Sequence, residues 1–426
     1  MTDSLDLLAE LTWRGLLQDQ SDGLAARLSR GPISGYNGFD PSGPSLHVGN
    51  LVPVFGLMHL QRAGGRPVIL VGGGTGMIGD PSGKSAERNL LDRAALEANR
   101  ARIRVQLERF LDFSAGPSGA LMLDNLEWLG SWGLLDFLRD IGKHFTLSYM
   151  LGKESVQTRL QAGISFTEFS YMTLQAADFL HLYREHGVEL QTGGADQWGN
   201  ITAGLELIRR VEGGEEDGDP LAYGLSYPLL LSPSGEKFGK TEKGSVFLDP
   251  EKTSPFDFYQ FFLNQDDGGV ARLLRTLTLM TSDEVRELEK EQAAHPEDRP
   301  AQRALAHDIT ARVHGREEAE RQVTVARAAF SGEPLRDPSV IETLYGALDR
   351  FEFGDPDVRD GALGLIVASG AYPSRSAARR AIEQGAVRIN DERISDPDQP
   401  VPEPIAGEWL VVRAGRRHLR IGRRRG

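Results

Sequence analysis

The chain has 426 residues, which at ~150 residues per domain predicts two or three domains and ample length for a buried core. Its 48 Lys and Arg against 61 Asp and Glu give a net charge of −13, excluding a protein that coats nucleic acid through a uniformly basic surface. The absence of cysteine excludes disulfides, Cys-ligated zinc, iron–sulfur clusters and a cysteine nucleophile. With no apolar run near ~18 residues and no charged-then-apolar start, the chain reads as soluble, cytoplasmic and globular, without a membrane partner.

The first half alternates strand-like and helix-like segments. Tyr36 to Asn50 (YNGFDPSGPSLHVGN) is a Gly, Pro and Ser turn that brings His47 and Gly49 to the start of a helix. Free backbone N–H groups and the positive dipole end favour phosphate there. A capped helix with an incidental histidine is the plainer reading of this segment taken alone. Pro53 places the helix start nearby or a kink. Pro67 to Val71 (PVILV) reads as a buried parallel strand running into GGGTGMIGD. Gly74, Gly76 and Gly79 fit the dinucleotide pattern G-x-G-x-x-G, but the acid about 20 residues on is Glu97, in a charged helix. GDPSGKS resembles a phosphate loop, yet Ile78 stands where that loop needs glycine. A nicotinamide-dependent oxidoreductase therefore stays open at this point and a phosphate-loop ATPase does not. No G-x-S-x-G or H-E-x-x-H is present.

The run SFTEFSYMTLQAADFLHLYREHG is helical, and its 3.6-residue period puts Tyr171, Gln175 and Asp178 on one face. A carboxylate in such apolar surroundings is either a structural polar contact or part of a pocket for a polar small molecule. Val188 to Gln191 is the next strand, followed by TGGADQWGN and the helical run ITAGLELIRR. Strand, Gly-rich turn, helix is the repeating unit of a doubly wound parallel sheet, with ligands at the strand carboxyl ends. VEGGEEDGDP (211–220) reads as a solvated loop. Lys237 and Lys240, around Gly239 and before Thr241, form either a mobile cationic clamp or an exposed loop. About 190 residues separate them from His47, and together the two pieces would form both walls of a nucleoside-triphosphate site.

The remaining pattern gives an α/β domain over 1–250, a helical domain over 251–330, a Pro/Gly-punctuated linker over 331–360 and a small α+β domain over 361–426. In the last, SRSAARRAIEQ is helical and AVRIN and WLVVRAG are strand-like. Ala362 to Gly426 holds twelve Arg against seven acidic residues, a net of +5, which leaves −18 on the rest. A basic tail on an acidic body points to a polyanion-binding module.

Taken together, YNGFDPSGPSLHVGN, GGGTGMIGDPSGKSAER, GKHFTLSYMLGKESVQTRLQAGISFTEFSYMTLQAADF, GGADQWGN and KFGKT resemble, in family order, the bacterial-type tyrosyl-tRNA synthetases of class I. The resemblance implies a Rossmann-like catalytic domain, an all-α anticodon-side domain and a small RNA-binding domain. It also implies a tyrosine–tRNA ligase that forms tyrosyl-adenylate from L-tyrosine and ATP and passes the tyrosyl group to tRNA(Tyr). Tyr36 and Asp178 would bind the phenolic hydroxyl; Tyr171, Gln175 and Asp80 the ammonium; Gln197 the carboxylate; and Asp196 the ATP ribose. The Asp40 backbone would approach the α-phosphate, with Gly38, Gly49, Asn50 and Gly194 beside the nucleotide. Ser42, His47, Lys237, Lys240 and Thr241 would embrace the departing pyrophosphate. Asn50 replaces the second histidine of the HIGH motif, and Asn37 stands where relatives often have cysteine. Arg375, Arg379, Arg380 and Arg388 would contact RNA, ATP would carry Mg²⁺ as substrate with no tightly bound cofactor, and the chain would form a homodimer. The sister tryptophanyl enzyme is the alternative; Asp178 with Tyr36 suits a phenol better than an indole.

Overall fold

The computed structural model describes residues 5–82, 93–114, 116–160, 163–214, 218–231, 235, 238–241, 244–330, 334–415 and 418–425. Lys237 lies outside these residues, and of Lys240 and Thr241 the backbone alone is described. The chain forms two compact units, one from Met1–Lys252 with Gln265–Leu305, the other from Thr253–Asn264 with Ala306–Gly426.

The first unit is built on a six-stranded sheet of β1 (Asp19–Gln20), β2 (Ser34–Phe39), β3 (Arg66–Val71), β4 (Leu121–Asp124), β5 (Leu190–Gly194) and β6 (Tyr223–Tyr227). Their order is β1-β6-β5-β2-β3-β4. All neighbours run parallel except the edge pair β1–β6. β3 is buried along nearly its whole length, as its unbroken apolar run predicts for a strand covered on both faces. β2 is followed on one side by β3 and flanked on the other by β5, so the sheet changes direction there and opens a crevice at the strand carboxyl ends.

The helix Phe166–His186 starts at Ser165, whose hydroxyl accepts from Glu168 N, and places Met172, Ala176, Phe179, Leu180 and Leu182 in the core beside Tyr36, Val68 and Leu70. It ends at Gly187 (φ 63), and Val188 N donates back to Leu182 O at 3.1 Å. The expected strand at Val188–Gln191 is therefore displaced: Val188 belongs to the helix cap, and β5 runs into the two glycines of TGG. The helix Leu51–Arg62 begins just before Pro53, where a missing N–H costs nothing. At Gly56 this helix passes β6 so closely that a Cβ would stand 2.1 Å from Tyr227 Oη. A small hairpin, β7 (Lys240–Thr241) with β8 (Gly244–Ser245), completes the first 250 residues.

The helical stretch expected over 251–330 forms the helices Pro255–Leu263, Asp267–Leu277, Ser282–Ala294, Pro300–His314 and Arg316–Phe330. They do not form a unit of their own, because both compact units draw on them.

In the second unit, β9 (Arg350–Phe353), β10 (Val387–Ile389), β11 (Glu392–Ile394), β12 (Trp409–Ala414) and β13 (His418–Arg424) form a sheet in the order β11-β10-β12-β13-β9. Asn390 and Asp391, both at positive φ (48 and 67), make the tight turn between β10 and β11. The stretch 331–360, expected as a linker, is instead part of the folded unit. Its described part holds the helix Pro338–Ala347, whose Ile341 and Leu344 pack with Trp409 and Val411, and β9, which pairs in parallel with β13. Pro338 opens a helix and Gly354 precedes the next one, so these residues mark element ends instead of a flexible connection. Among the described residues no helix is long and apolar enough to cross a membrane.

Candidate active site

A cavity of about 520 Å³ opens at the point where the sheet changes direction. Of the residues singled out from sequence, Tyr36, Gly38, Asp40, Ser42, His47, Asn50, Asp80, Tyr171, Gln175, Asp178, Gly194 and Gln197 line it. Gly49 and Asp196 stand on the same turns, outside the lining. The one helical face expected to carry Tyr171, Gln175 and Asp178 does face this cavity.

At its deep end, Asp178 is 1 % exposed and accepts two hydrogen bonds, from Asn125 Nδ2 to Oδ2 and from Trp128 Nε1 to Oδ1, each 2.8 Å. Burial pushes this carboxyl up to about 8, opposed by the Asn125 and Trp128 donors. Tyr36 is also 1 % exposed, and its hydroxyl has no hydrogen-bond partner among the described residues. Burial and the nearby Asp178 raise the Tyr36 phenol well above its ordinary value. An orphaned hydroxyl beside a buried carboxyl is a site waiting for a polar hydrogen-bonding group. His181 stacks on Trp128 with ring centroids 4.2 Å apart, backing the indole whose N–H holds Asp178.

Midway along the cavity, Tyr171 donates its hydroxyl to Asp40 Oδ2 (2.9 Å) and Thr75 donates to Asp40 Oδ1 (2.7 Å). Burial, then Asp40 and Asp80, raise the Tyr171 phenol well above its ordinary value. Asp80 accepts from Gln197 Nε2 (2.5 Å), Ser82 N (3.0 Å) and Asn200 Nδ2 (3.4 Å). Asn200 also donates to Gln175 Oε1 (3.2 Å) and Gln197 Oε1 (3.1 Å). These groups offer acceptors of net negative charge to a cationic ligand group.

At the outer end, His47 Nδ1 accepts from Gly49 N (3.1 Å), which leaves the proton of the neutral ring on Nε2. Asn50 Oδ1 accepts from His47 N (3.0 Å), closing a reciprocal cap at the turn Val48–Asn50. Asn50 thus acts here as a capping residue with no charge. The segment after the lysine motif is brought to this turn by the backbone: Val48 N donates to Val246 O (3.0 Å) and Leu248 N to Leu46 O (2.9 Å), while Val246 N donates to Gly239 O (2.8 Å). Phe247 lines the cavity. Asn37 is 4 % exposed, with Nδ2 on Gly38 O (2.9 Å) and Oδ1 accepting from Thr192 Oγ1 (3.3 Å).

Sequence reasoning missed four residues of the site: Thr75, Asn125, Trp128 and Asn200. Asn200 lies three residues after Gln197 in GGADQWGN, and Thr75 sits inside GGGTGMIGD, so a motif pointed at both. Nothing in the spacing of LDNLEW pointed to Asn125 or Trp128, whose partner Asp178 is 53 and 50 residues away.

In the second unit the basic tail is less free than its composition implies. Arg413 pairs with Asp391, Arg420 with Asp349, Arg423 with Glu408, Arg424 with Asp355 and Arg425 with Glu352. Of the four arginines singled out from sequence, Arg375 pairs with Asp360 at 2.9 Å and Arg388 donates to Asp391 O at 3.1 Å. Arg379 and Arg380 are exposed on the helix Arg375–Glu383 without an ion pair among the described residues, and Arg393 on β11 joins them.

Residues 28–331 match the family described as tRNA synthetases class I (W and Y). Residues 357–421 match the tyrosine–tRNA ligase SYY-like C-terminal domain. The chain belongs to the class I tRNA synthetases of this tryptophan and tyrosine branch. It is 46 % identical over 417 residues to the tyrosine–tRNA ligase of Bacillus caldotenax, covering 97 % of this chain and 98 % of the relative. It is 47 % identical over 421 residues to that of Anaeromyxobacter dehalogenans strain 2CP-1, covering 98 % and 99 %. Among solved structures it is similar to a C-terminally truncated mitochondrial tyrosyl-tRNA synthetase of Aspergillus nidulans, with a TM-score of 0.69 and 30 % identity over 76 % of this chain and 94 % of that one.

Proposed function

We infer that the chain is a tyrosine–tRNA ligase, which activates L-tyrosine with ATP and transfers the tyrosyl group to the terminal ribose of tRNA(Tyr). The observation that carries the choice of amino acid is the buried pair at the deep end of the cavity: the partnerless Tyr36 hydroxyl and the Asp178 carboxyl. A phenol gives the Tyr36 hydroxyl a partner and uses the remaining acceptor capacity of Asp178, whereas phenylalanine leaves the Tyr36 hydroxyl buried and unpaired.

The amino-acid carboxylate attacks the α-phosphorus of ATP in line and pyrophosphate leaves. The substrate is its own nucleophile, so the protein contributes orientation and positive charge. Asp80, Tyr171 and Gln175 hold the ammonium, Gln197 orients the carboxylate, and Asp196 takes the ribose, with Gly38, Gly49, Asn50 and Gly194 beside the nucleotide. The backbone at Asp40 faces the α-phosphate. His47 donates from Nε2, and with Ser42, Lys237, Lys240 and Thr241 it stabilises the departing pyrophosphate. Mg²⁺ enters with ATP as part of the substrate. The backbone bonds Val48–Val246 and Leu46–Leu248 support this arrangement, since they tie the segment after the lysine motif to the histidine turn.

The test is ATP–pyrophosphate exchange run with each of the twenty amino acids. Exchange supported by tyrosine alone is the expected result; support by tryptophan instead, or by none, overturns the reading.

RNA contact belongs to Arg379 and Arg380, with Arg393, because these arginines remain available as cations; Arg375 and Arg388 lie beside them. The double variant Arg379→Ala/Arg380→Ala should lower kcat/KM for tRNA about tenfold while leaving exchange unchanged. The salt dependence of tRNA binding should become shallower by about 0.7–0.9 log units for each phosphate no longer neutralised. Filter binding across a salt series checks this.

The partner set also includes a second copy of this chain. Between residues 134 and 166 the first unit exposes Leu134 (70 %), Leu135 (79 %), Leu147 (67 %) and Phe166 (77 %), an apolar density that a monomer rarely leaves in water. Leu135→Asp should raise the dimer dissociation constant at least tenfold by sedimentation equilibrium.

A further inference from the structure

Between the deep end of the cavity and Asp40 runs one line of hydrogen bonds. Asn125 Nδ2 donates to Asp178 Oδ2 (2.8 Å) and to Thr75 Oγ1 (2.9 Å), and the Thr75 hydroxyl donates to Asp40 Oδ1 (2.7 Å). Asp40 Oδ2 receives the Tyr171 hydroxyl (2.9 Å). The donor directions are set by chemistry. An amide nitrogen only donates, so Thr75 accepts from Asn125 and its single proton goes to Asp40. Asn125 cannot turn its amide over, because Oδ1 accepts from Gly74 N at 2.7 Å. Thr75 is 3 % exposed and lines the cavity.

The backbone is shaped around this line. At Gly72 a Cβ would stand 2.0 Å from Asp40 Oδ1 and 2.6 Å from Thr75 Oγ1, so the glycine clears the space in which the two side chains meet. The Thr75 hydroxyl is thus the single atom that joins Asn125 to Asp40 along this line.

We propose that Thr75 is a positioning residue for amino-acid activation: its hydroxyl fixes the Asp40 carboxylate from the side that reads the phenol, so that tyrosine pocket and phosphate side are held as one rigid geometry. The inference rests on the tyrosine–tRNA ligase reading above. Its physical basis is the strength of a hydrogen bond to an ionised acceptor in a buried network. Removing the hydroxyl leaves Asp178 its donors Asn125 and Trp128, so tyrosine still binds. Asp40 loses a charge-assisted donor and Asn125 loses an acceptor, so the bound substrates meet a less ordered site.

The experiment measures tyrosine-dependent exchange by wild type, Thr75→Val and Thr75→Ser, with thermal unfolding and equilibrium dialysis of tyrosine on each. The expected result for Thr75→Val is a kcat at least tenfold lower, with KM and dissociation constant for tyrosine within threefold of wild type. Thr75→Ser, which keeps the hydroxyl, should hold kcat within threefold. Should the buried valine prevent folding, Thr75→Ala removes the same hydroxyl with less bulk and is held to the same numbers. An unchanged kcat in the hydroxyl-free variant overturns the inference, and so does an equal loss in the serine variant, which would make the methyl group the part that matters. A wild type that shows no tyrosine-dependent exchange fails differently, because it removes the functional reading and the inference with it.

Discussion

Replacing Asp178 with Asn is expected to lower kcat/KM for tyrosine by roughly 10²–10⁴-fold. The two oxygens of Asp178 face two donors, Asn125 Nδ2 and Trp128 Nε1, so an asparagine amide must set its own N–H₂ against one of them. Above pH ~8, where the carboxyl is ionised, the variant also loses a charged acceptor for the phenol. A hydrogen bond to a charged group contributes about 1.5–3 kcal/mol, and a buried donor left unmatched costs about 1–3 kcal/mol more. At about 1.4 kcal/mol per decade these sum to the expected loss.

The same substitution should remove one source of the pH dependence of stability. The folded carboxyl titrates at about 8, against 3.8 for its ordinary value, because burial disfavours the charge. Between those values the native state binds the extra proton, so its contribution is full below pH ~4 and is lost as pH rises through ~8. The ligand-free wild type should therefore lose up to about 1.4 kcal/mol per pH unit in that window from this group, and Asp178→Asn should not. Unfolding midpoints of both proteins between pH 5.5 and 8.5 test it; parallel curves would show that Asp178 is not held neutral.

Arg159→Met is expected to destabilise the first unit by about 3–5 kcal/mol. Arg159 and Glu168 form a two-point ion pair, Nε–Oε1 at 2.9 Å and Nη2–Oε2 at 3.0 Å, with both side chains only 4 % exposed. Removing the guanidinium leaves the Glu168 carboxylate buried without its counter-ion, which is the costly part of breaking such a pair. The unfolding temperature should fall by roughly 6–20 °C. Arg159→Met/Glu168→Leu removes both charges and should recover most of the loss. A double variant as unstable as the single one would place the effect in the packing of the arginine stem.

Local physics made much of this molecule legible. The apolar run of β3 needs covering on both faces, and the 3.6-residue period of Phe166–His186 puts Tyr171, Gln175 and Asp178 on one face whatever surrounds the helix. The glycines after β3 were legible as a site of close approach but ambiguous in kind, since they also fit a dinucleotide turn. Their use is particular to this fold: Gly72 and Gly73 leave room for the carboxylates of Asp40 and Asp124. Pro and Gly between 331 and 360 misled, because the same residues cap helices and break chains, and only packing against β12 and β13 distinguishes the two.

Charge shows the division most clearly. Composition alone determined that the body is acidic, −18 over the first 361 residues, and the tail basic at +5. The tertiary structure decided which of those charges remain available. Among the described residues, Arg413, Arg420, Arg423, Arg424 and Arg425 meet carboxylates on neighbouring strands, helices and loops, and Arg379, Arg380 and Arg393 do not. Likewise the sequence by itself determined which residues could bind a nucleotide and a phenol, because residue type and helical period are local properties. That Asp178 takes its donors from Asn125 and Trp128, and that the His47 turn meets the segment after the lysine motif through Val48–Val246 and Leu46–Leu248, depends on contacts across about 50 to 200 residues. Such contacts follow from strand order and core packing, and no spacing along the chain encodes them.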